Sequence, residues 1–284
     1  MKVSKIAVAA IAASALVLTG CGSSSGGADA SSTAAAGTDN SQYKICMVTH
    51  GDGGGFWSVA KAGAVRAGED LGVSFDYQES NNDAAKQAQL IEADVTAGCQ
   101  ALAVSAPEPE AIKGALAKAT AAGIPLVTMN SGSSVFKDLG AFTHVGQDEF
   151  IAGQQAGLKF KANGQKKVLC PIQEASNIGL QSRCDGLADT FGKANVVYLQ
   201  LSAGLADLAK SEAEVQAALE ADTAIDGVFA LNADIATGAA MPAADAVGRP
   251  IAIGTVDLSG DAVQAIIDGK MLFAIDQQQY AQGY

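Results

Sequence analysis

The sequence predicts an α/β protein of two doubly wound lobes, each a parallel sheet covered by helices on both faces, with a cleft between them. Three observations carry this. Short, nearly continuous apolar runs alternate with longer amphipathic ones, as in chained β-α-β units. Several amphipathic runs stop at a glycine just before the next apolar run, as at Gly72, Gly98 and Gly123. The whole series then begins again halfway along the chain, so there are two sets.

In the first set the strands fall at Lys44–Thr49, Val73–Gln78, Ala101–Ser105, Leu126–Asn130 and Phe142–Gly146. Between the first four lie helical patterns at Trp57–Leu71, Ala84–Ala97 and Glu110–Ala122, the last stopped by Gly123 and Pro125. In the second set the strands are Val168–Ile172, Val196–Leu201, Val228–Leu231, Ile251–Val256 and Leu272–Ile275. Its helices are Ile178–Gly192, Asp207–Ala221, Ile235–Val247 and Ser259–Asp268.

The amino-terminal segment speaks to compartment. Lys2 and Lys5 precede an apolar run from Ile6 to Leu18, too short for a comfortable membrane span, and the run ends in Leu18-Thr19-Gly20-Cys21. This resembles a lipoprotein signal, whose Cys21 would be acylated and become the first mature residue. From Gly22 to about Ser41 the chain is Gly, Ser, Ala, Thr and Asp without apolar periodicity, a flexible tether. The Gly22-Ser23-Ser24-Ser25-Gly26 run matches a hydrolase nucleophile elbow by chance, since no strand precedes it and no helix follows. The division expected is a signal peptide over 1–20, a tether over 21–42, an N-terminal lobe over 43–146 plus 277–284, and a C-terminal lobe over 147–276.

The globular part is apolar enough to fold, with 49% hydrophobic residues overall, and its net charge of −12 excludes nucleic acid as a partner. Arg66, Arg183 and Arg249 are the only arginines, so a clamp for an anionic ligand is hard to build. With Cys21 set aside, Cys46, Cys99, Cys170 and Cys184 are an even number in an oxidising compartment. Cys170 and Cys184 are expected to pair, tying a strand end to the next helix; Cys46 and Cys99 stay open between a disulfide and two buried thiols. No C-x-x-C pair or other metal-ligand spacing occurs, so neither metal nor cofactor is expected.

Ligands of open parallel sheets sit beyond the carboxyl ends of the strands. The first such loop, Thr49 to Trp57, fails as a dinucleotide fingerprint because Phe56 stands where the last glycine belongs. Its glycines let backbone approach a ligand, and Phe56 and Trp57 offer one ring to stack on a sugar and one to pack inward; packing for both is the alternative. His50 is a candidate contact, whereas His144 lies in a strand and reads as structural. The other strand ends deliver short uncharged or acidic side chains: Ser105, Asn130, Asn177 and Gln181, Asn232, Asp257 and Gln277. Such groups satisfy desolvated hydroxyls, although any one of them at a helix start can equally be an N-cap.

Four runs then carry a family resemblance: His50 to Trp57, Ser131 to Glu149, Asn177 to Cys184 and Phe273 to Tyr284. In these the chain resembles the ribose-type periplasmic binding proteins, the substrate-binding components of sugar ABC transporters. The resemblance implies a type I periplasmic binding protein fold and capture without catalysis. By position, ring stacking would fall on Phe56 and Trp57, first-lobe polar contacts on Ser105 and Asn130, and second-lobe contacts on Gln181, Asn232 and Asp257. Gln277 would be the hinge-side contact. The pentose-binding branch typically has Asp-Arg where this chain has Asn130-Ser131, and Arg where it has Gln181, so ribose is not assumed. The family's return into the first lobe after the last strand is largely missing, so the sequence reads as a fragment, with a first lobe that lacks its closing element as the alternative. Apolar surface is expected to be exposed on that lobe.

The expected function is capture of a small neutral sugar or polyol by closure of the lobes about hinges near Gly146-Gln147 and Asp276-Gln277. The closed monomer would deliver its ligand to an ABC permease while the lipid on Cys21 keeps it at the membrane. The two histidines have no motif-linked nucleophile, which argues against an enzyme, and the amino-terminal signal argues against a repressor. The alternative is the same fold binding a choline-like cation or a signalling molecule, against which stands the 5% aromatic content.

Overall fold

The structure is a computed structural model that describes residues 39–284. The expected signal peptide, Cys21 and nearly all of the tether lie outside the described residues. Among the described residues no helix is long and apolar enough to cross a membrane.

Two five-stranded, all-parallel sheets form the frame. The first contains β1 (Lys44–Thr49), β2 (Ser74–Glu79), β3 (Ala101–Ser105), β4 (Leu126–Met129) and β5 (Thr143–Val145) in the order β2-β1-β3-β4-β5. The second contains β6 (Val168–Ile172), β7 (Val196–Gln200), β8 (Gly227–Ala230), β9 (Ala252–Val256) and β10 (Phe273–Ile275) in the order β10-β9-β8-β6-β7. Read from β7, the second order repeats the first, so each lobe carries its switch point in the same place.

The helices of the first lobe are α1 (Gly55–Leu71), α2 (Ala84–Thr96) and α3 (Pro109–Ala121). Alternation along β1 divides its core in two: Val48 packs with Ile91, Leu102 and Ile112 on one face, and Met47 with Trp57, Ala60 and Met129 on the other. In the second lobe α4 (Glu149–Asn163), α5 (Ile178–Phe191), α6 (Leu208–Ala221) and α9 (Gly260–Ile267) cover the sheet. The predicted helix over 235–247 is broken into α7 (Ala233–Ile235), a π-helical stretch over Ala236–Ala240, and α8 (Met241–Ala246). Pro242 lies just beyond the widened turn, and a proline has no N–H to offer the preceding turn of an α-helix.

Helix α4 is absent from the sequence expectation. Its buried face is Ala152, Gly153, Ala156, Gly157 and Phe160, while Phe150, Ile151 and Leu158 lie partly in solvent, so its apolar periodicity points the wrong way. The small face lets α4 and α5 touch backbone to backbone: a Cβ on Gly153 would stand 2.0 Å from the Arg183 carbonyl oxygen, and one on Gly186 2.0 Å from that of Phe150. The chain leaves the first lobe through Gly146 and Gln147 into α4, and comes back through Asp276–Gln278 into α10 (Gln279–Gly283). That last helix packs on α1 by the same device, with Gly63 facing the Tyr280 carbonyl and Gly283 facing that of Ala60. Beside it Ile45, Met47, Phe75, Val127 and Tyr284 line an apolar groove of ≈ 240 Å³ on the first lobe.

Each lobe carries a disulfide. Cys170 of β6 is joined to Cys184 of α5, with Cα atoms 6.0 Å apart. The pairing left open by the sequence is also made: Cys46 of β1 is joined to Cys99, with Cα atoms 5.9 Å apart.

Candidate functional site

The carboxyl ends of β1, β4, β6, β8 and β9 face one another across the two lobes and enclose a cleft. Its centre is a cavity of ≈ 50 Å³ bordered by His50, Phe56, Trp57, Asn130, Asn232, Asp257 and Gln277, seven of the nine positions expected to contact ligand.

The first lobe shapes one wall. Trp57 is buried and held edge-on between His50 and Phe56, at ring-centroid distances of 4.8 and 4.9 Å, which leaves half-buried Phe56 as the more open ring. Gly51 makes this possible, because a Cβ there would come 2.9 Å from Cγ of Trp57. Ser105 stands behind His50 and outside the cavity: its Oγ accepts the His50 backbone N–H at 2.8 Å and hydrogen-bonds Nδ1 at 2.7 Å. It is therefore a positioning residue for His50. Asn130 sits at φ +58°, a left-handed turn that asparagine tolerates, and its N–H donates to the Val145 carbonyl at 2.9 Å.

The second lobe supplies charge. Asp257, also in the left-handed region at φ +74°, accepts from Gln277 Nε2 at 2.6 Å and from Asn232 Nδ2 at 3.4 Å. Asn232 is at once N-cap and site residue, since its Oδ1 accepts the Asp234 N–H at 2.8 Å. Burial pushes the Asp257 carboxyl up to about 6, with Arg183 and the Gln277 hydrogen bond working against that rise. Gln277 spends its NH₂ on Asp257, and its Oε1 is buried without a partner.

Gln181 does not reach the cavity. It sits on the outer side of α5 and donates to Asp185 at 3.0 Å, while Arg183, two positions on, turns inward. A helix advances 100° per residue, so a shift of two places reverses the face. Buried Arg183 pairs with buried Glu149 through Nε and through Nη2 at 3.0 Å, and its Nη1 donates to the Leu231 carbonyl at 2.8 Å. Burial alone would lower the pKa of Arg183, but the charge and hydrogen bonds of Glu149 raise it, and the guanidinium stays charged.

Sequence reasoning also missed Asp52, Gln173, Glu174 and Asp234, all of which border the cavity. Gln173 and Glu174 directly follow β6, so reading its strand end residue by residue would have found them. The lobes touch each other here: the Ile178 N–H donates to the Pro107 carbonyl at 3.1 Å, Ser131 Oγ donates to Asn177 Oδ1 at 3.2 Å, and His50 Nε2 lies 3.8 Å from Glu174. Burial lowers the pKa of His50 although Glu174 opposes it, so the imidazole is neutral.

Two parallel-sheet lobes with a polar cleft at the facing strand ends are the frame of a type I solute-binding protein. The family comparison agrees: residues 45–284 match the periplasmic binding protein domain model, and the chain belongs to that family. It is 29% identical to the fructose import binding protein FruE of Bifidobacterium longum, over 95% of this chain and 83% of the relative. It is 26% identical to the ribose import binding protein RbsB of Haemophilus influenzae, over 78% of this chain and 76% of that protein. Among solved structures, a carbohydrate transporter from Acidothermus cellulolyticus in complex with myo-inositol is 37% identical, with a TM-score of 0.81, covering 85% of this chain and 83% of its own.

Proposed function

We propose that this protein captures a small sugar or cyclic polyol outside the cytoplasm by closing its two lobes around it, and delivers it to the permease of an ABC importer. The observation that carries this reading is the Asp257–Gln277–Asn232 cluster, a buried carboxylate held by two amides on the same cavity as the half-buried ring of Phe56. Carboxylate and amide oxygens accept from hydroxyls while an aromatic face covers the C–H side of a ring, and both must act together once water is excluded. The relatives named for fructose and ribose and the structure holding myo-inositol support the same ligand class.

His50, Phe56, Trp57, Asn130, Asn232, Asp257 and Gln277 are the contact residues in this reading, with Arg183 added and Gln181 set aside. Ser105 acts through His50. The hinges are the crossings at Gly146-Gln147 and Asp276-Gln277. Ligand that bonds to both lobes favours the closed state by its differential affinity for it. Acylation of Cys21 would hold the working monomer at the membrane surface, since the sequence around it resembles a lipoprotein signal.

A thermal-shift panel of myo-inositol, D-ribose, D-fructose, D-glucose, choline and amino acids tests the reading. A ligand binding only the folded state adds about 2.7 kcal/mol at a hundred times its Kd. A melting shift with one or two polyhydroxylated compounds is the expected result. Shifts with choline or amino acids alone would overturn it.

A further inference from the structure

Beside the ring cavity lies a larger chamber of ≈ 470 Å³, continuous with it through His50, Asp52, Gln173, Glu174, Asn177 and Leu205. Its chemistry is one-sided. Asp52, Glu108 and Glu174 border it, and among the described residues no lysine or arginine does. His50, the one basic side chain on that wall, is buried with its Nε2 3.8 Å from Glu174, and burial lowers its pKa.

The amides on the wall point the same way. Gln87 is fully buried and spends its NH₂ on the Ser105 carbonyl at 2.7 Å, leaving Oε1 as an acceptor with no donor in reach. Gln173 Oε1 is likewise buried and unpartnered. In the ring cavity, Arg183, the single cation there among the described residues, is already bound by Glu149. A cleft with surplus acceptors and uncompensated negative charge favours a ligand that donates more than it accepts and carries positive charge.

Resting on the sugar-or-polyol reading of the cleft, we propose that this chamber holds a protonated primary amine borne by the same ligand, so that the preferred substrates are amino-substituted sugars or cyclitols rather than strictly neutral ones. The ammonium would sit between Asp52, Glu108 and Glu174 and donate to the orphan amide oxygens. The ring would lie against Phe56 with its hydroxyls on Asp257 and Gln277.

Calorimetric titration of matched pairs tests this at neutral pH: D-glucosamine against D-glucose, and an amino-inositol against myo-inositol, with N-acetyl-D-glucosamine as the uncharged analogue. In at least one pair the amine is expected to bind about tenfold or more tighter than its parent, a preference that shrinks with added salt because it is ionic. Glu174→Gln and Glu108→Gln, both at partly exposed positions, should each cut the ratio of amine to parent affinity severalfold. Parents that bind as tightly as their amines would overturn the proposal and leave the sugar reading in place. Binding by neither member of any pair would also overturn the proposal, while the sugar reading would stand or fall on the ribose and fructose arms of the thermal-shift panel.

Discussion

The two lobes share a sheet order and a way of joining helices, but they bring different things to the cleft. Around the ring cavity the first contributes mainly shape: a Trp57 held edge-on by His50 and Phe56, and backbone turned by Asn130, with Asp52 its one carboxylate there. The second contributes charge: Asp257, Glu174, and the Arg183–Glu149 pair anchored on the Leu231 carbonyl. Substitutions at Trp57 and Phe56 should therefore act through packing and stacking, and those at Asp257, Arg183 and Glu149 through unpaired charge, while Asp52 and Glu108 are the first lobe's own charges on the adjoining chamber. Duplicated architecture thus need not mean duplicated chemistry.

The largest effect expected is on the second lobe. Glu149→Ala leaves the Arg183 guanidinium buried and unpaired, which should cost about 3–5 kcal/mol. A denaturant melt checks this, and an unchanged midpoint would show that the pair is not buried in solution. Glu149→Gln, which keeps an acceptor, should cost less.

The disulfides come next and also separate the lobes. Cross-links over separations of 53 and 14 residues constrain the unfolded chain by roughly 4 and 3 kcal/mol respectively in the loop-entropy account. Replacing Cys46 and Cys99 by alanine should therefore destabilise the protein more than replacing Cys170 and Cys184, as thermal melts of the two double variants would show. The reverse order would mean that native packing around Cys170 and Cys184, not loop entropy, decides.

A smaller effect is expected from stacking. Phe56→Ala should weaken binding of a ring polyol by about 1–2 kcal/mol, roughly tenfold, with little change in the melting temperature of the free protein. Trp57→Ala, by contrast, opens the first-lobe core beside Met47, Ala60 and Met129 and should lower the melting temperature outright. Equal losses of stability in both variants would remove the distinction drawn between the two rings.

The pH dependence is smaller still near neutrality. Burial holds Asp257 at about 6 against an ordinary 3.8, so its folded form takes up a proton before its unfolded form does. Its own contribution to the stability of the free protein therefore grows as pH falls from about 6 towards 4. Binding has the opposite sign, because ligand hydroxyls donate to the ionised carboxylate. Affinity should be full above about pH 7 and fall as pH drops through 6, approaching tenfold per unit below it, with a proton released on binding near pH 6. Titrations at several pH values would show this, and a flat profile from pH 5 to 7 would contradict it.

Much of the frame was legible in the sequence, because strands buried on both faces read as short continuous apolar runs; β1, β3 and β6 fall where those runs do. Helix α4 was not, because it packs through glycine and alanine against the α5 backbone, while its large apolar residues Phe150, Ile151 and Leu158 lie on the outer face and mislead the period. The strand-end rule located Asn130, Asn232, Asp257 and Gln277, whose positions depend only on where a strand stops. It could not reach the Arg183–Glu149 pair, made across 34 residues by helix packing that no local pattern encodes. Nor could it choose between Gln181 and Arg183, since that rests on which face of α5 turns inward.

The most direct test of the account is calorimetric binding of myo-inositol, D-ribose and D-fructose to the wild type and to Asp257→Asn. If hydroxyls are held by the Asp257–Gln277–Asn232 cluster, at least one of the three binds the wild type. The variant, whose amide accepts less strongly and meets Gln277 Nε2 with a different pattern, should then lose about 2–3 kcal/mol, or thirtyfold and more. Equal affinity in the two proteins, with a ligand bound by both, would place the ligand elsewhere and contradict the account.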